Sequence, residues 1–111
     1  MFDIIIKSGM VIDGTGKAPF PADVAIDKGN IVAIEPLADG GQGLPSTEAK
    51  TIIDAKDRFV MPGFIDVHGH SDINILANPN GESKIRQGIT TEIISNCGDG
   101  VFPLRGEALD D

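Results

Sequence analysis

The most informative stretch of this chain reads Pro62-Gly63-Phe64-Ile65-Asp66-Val67-His68-Gly69-His70. Its Pro-Gly pair breaks the direction of the chain, and residues 64–67 form a short run typical of a buried β-strand. Both histidines of the chain follow directly. Because residues i and i+2 of a strand point to the same side, we expect His68 and His70 to project together from the carboxyl end of this strand.

The residues that follow predict a second strand beside the first. Residues 82–87 have a helical pattern that ends at Gly88, and residues 89–95 are a β-branched run typical of a strand. Two strands joined by a helical crossover are expected to be parallel, so that their carboxyl ends share one edge. Cys97, the only cysteine, follows the second strand and is expected at that edge with the histidines.

Two imidazoles and one thiolate suit zinc better than magnesium or calcium. We therefore predict a metal site formed by His68, His70 and Cys97. Three protein ligands indicate an open catalytic site, or a site to which other ligands are added from elsewhere. A small buried hydrophobic role is the alternative for Cys97. Three further residues are candidates to orient the ligand side chains: Asp66, Asp72 and Asn96. For Asp72, the cap of a turn or helix is the alternative role.

The first half of the chain predicts an antiparallel β module. Residues 3–35 read as a meander that is broken at Ser8-Gly9 and contains a hairpin around Lys28-Gly29-Asn30. Residues 51–55 and 58–61 are interpreted as two strands, the second returning along the first. Residues 36–50, rich in glycine and without periodicity, are expected to be a surface insertion, with disorder as the alternative.

The composition of the chain disfavours some classes of binding partner. The chain has 17 acidic and 9 basic residues, a net charge of −8, which disfavours nucleic acid and anionic membranes as partners. A single cysteine forms no internal disulfide and fits a reducing compartment. Residues 1–7 lack the features of a signal peptide or a membrane span. We therefore expect a cytoplasmic protein without a nucleic-acid or membrane partner.

Residues 54–70 resemble the opening of the amidohydrolase superfamily, in which Pro-Gly-Phe-Ile-Asp-x-His-x-His lies on the first strand of a (β/α)8 barrel after a β-sandwich module. Residues 82–92 and Asn96-Cys97-Gly98 are similar to the N-acyl-D-amino-acid deacylase (D-aminoacylase) branch. The resemblance implies a mixed β and α/β fold. Residues 1–61 would form the antiparallel β module, part of a β-sandwich. Residues 62–111 would start the hydrolase barrel with its first βαβ unit, leaving the barrel incomplete.

The resemblance also implies a function: zinc-dependent hydrolysis of the amide of N-acyl-D-amino acids. In that branch Cys97 would be a ligand shared between two metal positions, and His68 and His70 would line the second, so that one or two zinc ions bind in the complete enzyme. The general base and further ligands are expected outside this chain. No catalytic residue is therefore assigned within it, and the chain alone is expected to be inactive.

Two alternatives stay open. One is a non-catalytic metal-binding or assembly module derived from such an enzyme. Because two strands with open edges cannot close a barrel, we also expect the chain to self-associate. The other is a different branch of the superfamily, resembling dihydropyrimidinase or dihydroorotase. Those relatives usually place a lysine in the bridging role, so Cys97 argues against this branch.

Overall fold

The computed structural model describes residues 1–98 and residue 100. The chain divides into two compact units, Met1–Pro62 and Gly63–Asp111, called here the first and the second unit. The predicted second domain extends to residue 111, and its residue 99 and residues 101–111 lie outside the described part. Within the described residues, no helix combines the length and the hydrophobicity that crossing a bilayer requires.

The first unit is built on one five-stranded sheet in which β1 is central. Four strands lie in the order β3-β2-β1-β4, and β5 also pairs with β1. Their bounds are β1 Phe2–Val11, β2 Phe20–Asp27, β3 Asn30–Pro36, β4 Ala49–Asp54 and β5 Phe59–Val60. A small apolar core of Val11, Ala22 and Val24 lies on the sheet, with Ile6, Phe20 and Val60 packed against it.

The predicted hairpin is confirmed and is tighter than expected. β2 and β3 pair in antiparallel fashion up to Asp27 and Asn30, which leaves two residues in the turn. Lys28 and Gly29 have φ values of 49° and 77°. Two successive positive φ angles are characteristic of a type I′ turn, whose twist matches that of the strands it joins.

The predicted break at Ser8-Gly9 is a bulge inside one continuous strand. β1 runs through it, and its register with β2 shifts between Ile6 and Gly9. Ser8 has a φ of 59°, in the left-handed region that glycine adopts in one class of bulge. The apolar runs on either side of the bulge therefore belong to the same strand.

The prediction of an antiparallel module is wrong for two of the five strands. β4 and β5 both run parallel to β1, from the pair Phe2 and Ala49 to the pair Val11 and Val60. β5 therefore does not return along β4 but continues in the same direction beside β1. β3 and β4 run in the same direction at opposite ends of the strand order, so the chain must cross over between them, and residues 37–48 make this connection.

The connection of residues 37–48 folds onto the sheet and contains two short 3-10 turns, Ala38–Gly40 and Ser46–Glu48. Asp23, fully buried on β2, accepts hydrogen bonds from the backbone N–H groups of Ser8 and Leu44, both at 2.8 Å. Lys7 Nζ lies 2.5 Å from the same carboxylate and donates to the Leu44 carbonyl at 2.6 Å. One buried carboxylate thus joins the bulge, its neighbouring lysine and the long connection.

The second unit contains the predicted pair of parallel strands. β6 (Phe64–Asp66) and β7 (Ile89–Glu92) form a two-stranded parallel sheet. The predicted helix is a single turn, α2 (Glu82–Ile85), and Gly88 follows it with a φ of 79°. A second one-turn helix that the sequence pattern does not predict, α1 (Ser71–Asn74), lies directly after His70.

Candidate metal centre

The two histidines lie on the segment that leaves β6, just beyond the last strand residue, Asp66. The ladder between the strands extends into this segment, because Ile93 N–H donates to the Asp66 carbonyl at 2.8 Å and Gly69 N–H donates to the Ile93 carbonyl at 3.0 Å. The Asp66 carboxylate accepts the backbone N–H of His68 at 3.1 Å. Hydrogen bonds from the backbone N–H groups of His68 and Gly69 therefore fix the path of the chain through these residues.

The structure brings together the three side chains that strand parity and the parallel crossover predict. The potential ligand atoms of His68, His70 and Cys97 all lie within 4.8 Å of one another. His68 Nε2 is 3.1 Å from Cys97 Sγ, and the two imidazole rings have centroids 5.5 Å apart. Cys97 is exposed, so the alternative of a buried hydrophobic cysteine is not what the structure shows.

Cys97 lies in a 3-10 turn, Asn96–Gly98, with an unusual backbone. Its φ is 61°, and Ser95 has a φ of 64°; such left-handed conformations are sparsely populated by residues other than glycine, aspartate and asparagine. The Asn96 side chain donates to the Ile93 carbonyl at 2.9 Å. Asn96 therefore braces the turn that presents the cysteine, rather than contacting a ligand side chain directly.

Charged side chains lie beside the histidine segment. Lys84 forms an ion pair with Asp66, and its Nζ is 3.6 Å from Glu92 Oε1. The bond from Lys84 holds the pKa of Asp66 below its usual value, and the bond to Asp66 in turn raises the pKa of Lys84. Hydrogen bonds from Ser71 lower the pKa of Glu92. Both carboxylates are therefore stabilised in their charged form.

Among the described residues, Asp72 makes no hydrogen bond of the kind that would orient a ligand side chain. Its two carboxylate oxygens have almost no solvent access and no hydrogen-bond partner among the described residues. It therefore neither caps a turn nor contacts a histidine through a hydrogen bond. Three residues that do support the segment are not singled out by the sequence pattern: Ser71, Lys84 and Glu92. The predicted strand of residues 89–95 contains Glu92 but gives no signal for this role; in the structure the strand ends at Glu92, which is paired with Asp66.

The donor set fits a zinc-like ion. Imidazole nitrogen and thiolate sulfur are the ligands that zinc prefers in proteins, at about 2.0–2.3 Å. Donor atoms within 4.8 Å of one another need only small side-chain rotations to reach a common ion. The remaining coordination positions are not supplied by a further histidine, cysteine or acidic residue of the described part of the chain within this cluster.

Comparison with known proteins identifies the family. The profile of the amidohydrolase family matches residues 51–106, about half of the chain. The chain is 42% identical over 96 residues to the N-acyl-D-glutamate deacylase of Alcaligenes xylosoxydans xylosoxydans, an alignment that covers 86% of this chain and 18% of that protein. The chain belongs to the amidohydrolase family.

The chain is also similar to solved structures of deacylases. The N-acyl-D-glutamate deacylase of Bordetella bronchiseptica, complexed with zinc and a phosphonate mimic of the tetrahedral intermediate, matches with a TM-score of 0.75 and 39% identity, over 89% of this chain and 19% of that chain. A D-aminoacylase studied for its binuclear metal centre matches with a TM-score of 0.79 and 37% identity, over 96% and 21%. These similarities confirm the resemblance to the deacylase branch. The chain spans about a fifth of the length of these relatives.

Proposed function

We propose that this chain forms part of a zinc-dependent amidohydrolase that cleaves the amide of N-acyl-D-amino acids. The observation that carries the proposal is the convergence of His68, His70 and Cys97 within 4.8 Å. Support comes from relatives that are named as deacylases of such substrates, and from one whose structure was solved with zinc. The dihydropyrimidinase-like alternative is not favoured, because an exposed cysteine lies where that branch usually has a lysine.

In this proposal the residues of the cluster bind the metal, and two neighbouring residues position them. Cys97 and the two histidines hold one or two zinc ions. When bound, zinc polarises the scissile carbonyl and lowers the pKa of a coordinated water. Asp66 fixes the backbone of His68, and Asn96 braces the turn of Cys97. The general base is assigned to residues outside this chain, so we expect the chain alone to release no amino acid from an N-acyl-D-amino acid.

Zinc titration of the purified chain by calorimetry tests the metal centre. Cys97→Ala is expected to weaken zinc binding by more than the about 10- to 100-fold that loss of an orienting residue costs. Ser83→Ala, which alters an exposed serine of the same unit, is the matched control and should bind as the unaltered chain does. Equal binding by all three proteins would contradict the assignment of Cys97.

A chimera tests the substrate class. In it, this chain replaces the corresponding segment of a D-aminoacylase, and hydrolysis of N-acyl-D-amino acids is measured against the L enantiomers. Activity that prefers the D enantiomers and disappears in the Cys97→Ala chimera is expected. A chimera that opens cyclic dihydropyrimidines instead would favour the dihydropyrimidinase-like branch.

The second unit also supports the prediction that the isolated chain self-associates. Its strands β6 and β7 form a sheet of only two strands within the described residues, and an isolated two-stranded sheet is marginally stable in water. Large apolar side chains of the second unit are exposed, among them Phe64 and Ile65 of β6 and Leu76. Light scattering of the purified chain tests this, and a monomer at high concentration would contradict it.

A further inference from the structure

We propose that Glu92 is a positioning residue for the metal-binding segment, acting through Gly69 and Ser71 rather than on a metal or a substrate. The inference rests on the proposed metal centre. Glu92 ends β7, and its side chain reaches the segment that follows β6. It is not among the side chains of the His68, His70 and Cys97 cluster, so its contribution is indirect.

The first contact is a pair of hydrogen bonds to a single residue. Glu92 Oε2 accepts the hydroxyl of Ser71 at 2.6 Å, and Oε1 accepts the backbone N–H of Ser71 at 3.2 Å. Ser71 directly follows His70. Two bonds from one carboxylate to one residue fix both its backbone and its side chain, which restricts the path of the chain on the far side of His70.

The second contact is with the glycine between the two histidines. Gly69 is buried, and a β-carbon added there would overlap the carboxylate and the Cγ of Glu92. The Glu92 side chain therefore packs directly against the backbone of Gly69. Because Gly69 separates the histidines, this contact sets the position of the backbone from which both imidazoles project.

The negative charge of the Glu92 carboxylate is offset by a nearby lysine. The Glu92 side chain is only 14% exposed, and Lys84 Nζ is 3.6 Å from Oε1. The hydroxyl of Ser71 is the main cause of its lowered pKa. Together with Asp66, which holds His68 N–H, Glu92 anchors the segment on both sides of Gly69. The histidines are thus held before any ion binds, which is the expected task of residues that orient metal ligands.

Cobalt(II) titration followed by absorption spectroscopy tests the inference, with cobalt alone as the probe. Glu92→Gln is expected to weaken cobalt binding by about 10- to 100-fold. Glu92→Asp keeps the charge but is too short for both bonds to Ser71, and should resemble Glu92→Gln. Glu82→Gln removes the same charge from an exposed position of the same unit and should bind as the unaltered chain does.

A metal-free readout separates positioning from general stability. Hydrogen exchange of the Ser71 amide should accelerate by about tenfold in Glu92→Gln, since the bond to a charged carboxylate is replaced by a weaker bond to a neutral amide oxygen. Ser71→Ala keeps Glu92 and Lys84 in place and should weaken cobalt binding less than Glu92→Gln does. The double variant should bind cobalt about as weakly as Glu92→Gln alone. Ser71→Ala carries the test if Glu92→Gln does not fold.

The outcomes distinguish the two proposals. If the unaltered chain binds no cobalt, the claim that this chain forms a metal centre is wrong, and the proposed role of Glu92 in it is wrong as well. If the unaltered chain binds cobalt and Glu92→Gln or Ser71→Ala binds it equally well, with the same spectrum, the metal centre stands and the role of Glu92 is overturned. Binding restored by Glu92→Asp would likewise overturn it, because charge alone would then suffice.

Discussion

Asp66 and Glu92 are register partners at the last position of β6 and β7, and Lys84 pairs with both carboxylates. Like charges directly opposite each other on paired strands destabilise a sheet. Here one lysine from α2 offsets the repulsion at the point where the sheet ends and the histidine segment begins. The short helix is therefore tied by charge to the two strands that it connects.

Removing that lysine is expected to weaken the second unit. Lys84→Met keeps much of the side-chain length but leaves the two carboxylates unpaired, so the Ile93 amide, which bonds to the Asp66 carbonyl, should exchange faster. The side chains are partly exposed, so we expect the effect to be smaller than loss of the buried Asp23. Lys84→Arg retains the charge and should change little. Unchanged exchange in Lys84→Met would show that the pairs contribute nothing measurable.

The first unit should lose stability in acid because of Asp23. Burial raises the pKa of this carboxyl, but the bonds from Lys7, Ser8 and Leu44 outweigh burial and leave the pKa below its usual value. A group with a lowered native pKa stabilises the fold above its unfolded pKa of about 3.9, and that stability is lost as the pH falls below this value.

Denaturant unfolding of the first unit between about pH 6 and about pH 3 measures this effect. Asp23→Asn should show a flatter pH dependence than the unaltered chain over this range. At neutral pH, Asp23→Ala should lower the free energy of unfolding by about 3 kcal/mol, since it leaves a partly buried lysine without its partner. Equal pH dependence in the unaltered chain and Asp23→Asn would contradict the role of this carboxylate.

The hairpin turn offers a stabilising change. Lys28 has a φ of 49°, which is unfavourable for lysine, whereas Asn-Gly is a preferred sequence for a type I′ turn. Lys28→Asn should raise the free energy of unfolding by about 0.5–1 kcal/mol. Lys17→Asn, which removes the same charge at another exposed position, is the control. Thermal unfolding of both variants provides the measurement, and an equal shift in both would attribute the gain to charge.

The parts of the structure that could be predicted depend on local patterns. Strand parity predicts that His68 and His70 lie together, and a parallel crossover adds Cys97, because both rules follow from backbone geometry. The three side chains do lie together, although the histidines follow the last residue of β6. The direction of β4 could not be predicted, since it depends on how residues 37–48 fold over the sheet. That path is fixed by Asp23 through contacts that are distant in sequence, and no periodicity in the connection reveals them.

The residues that position the candidate metal ligands could not be predicted, for a related reason. Glu92 lies within a β-branched run, residues 89–95, that predicts a strand, but nothing in that run shows that its side chain turns toward Gly69. Asp72 shows the converse. Its position two residues after His70 suggests an orienting carboxylate, but its oxygens have no hydrogen-bond partner among the described residues. Closeness in sequence to a histidine is thus a poorer guide to the residues that position it than pairing between the two strands is.

Gly69→Ala should disrupt the histidine segment through a steric conflict with Glu92. The backbone of Gly69 is not in the left-handed region, so alanine is compatible with its conformation, and the cost arises from overlap with the Glu92 side chain. Overpacking of this kind lowers the free energy of unfolding by about 1–3 kcal/mol. Combining Gly69→Ala with Glu92→Ala removes the overlap, so the double variant should lose less stability than the sum of the two single variants. Chemical denaturation of the four proteins measures this coupling, and strictly additive losses would show that Glu92 does not pack against Gly69 in solution.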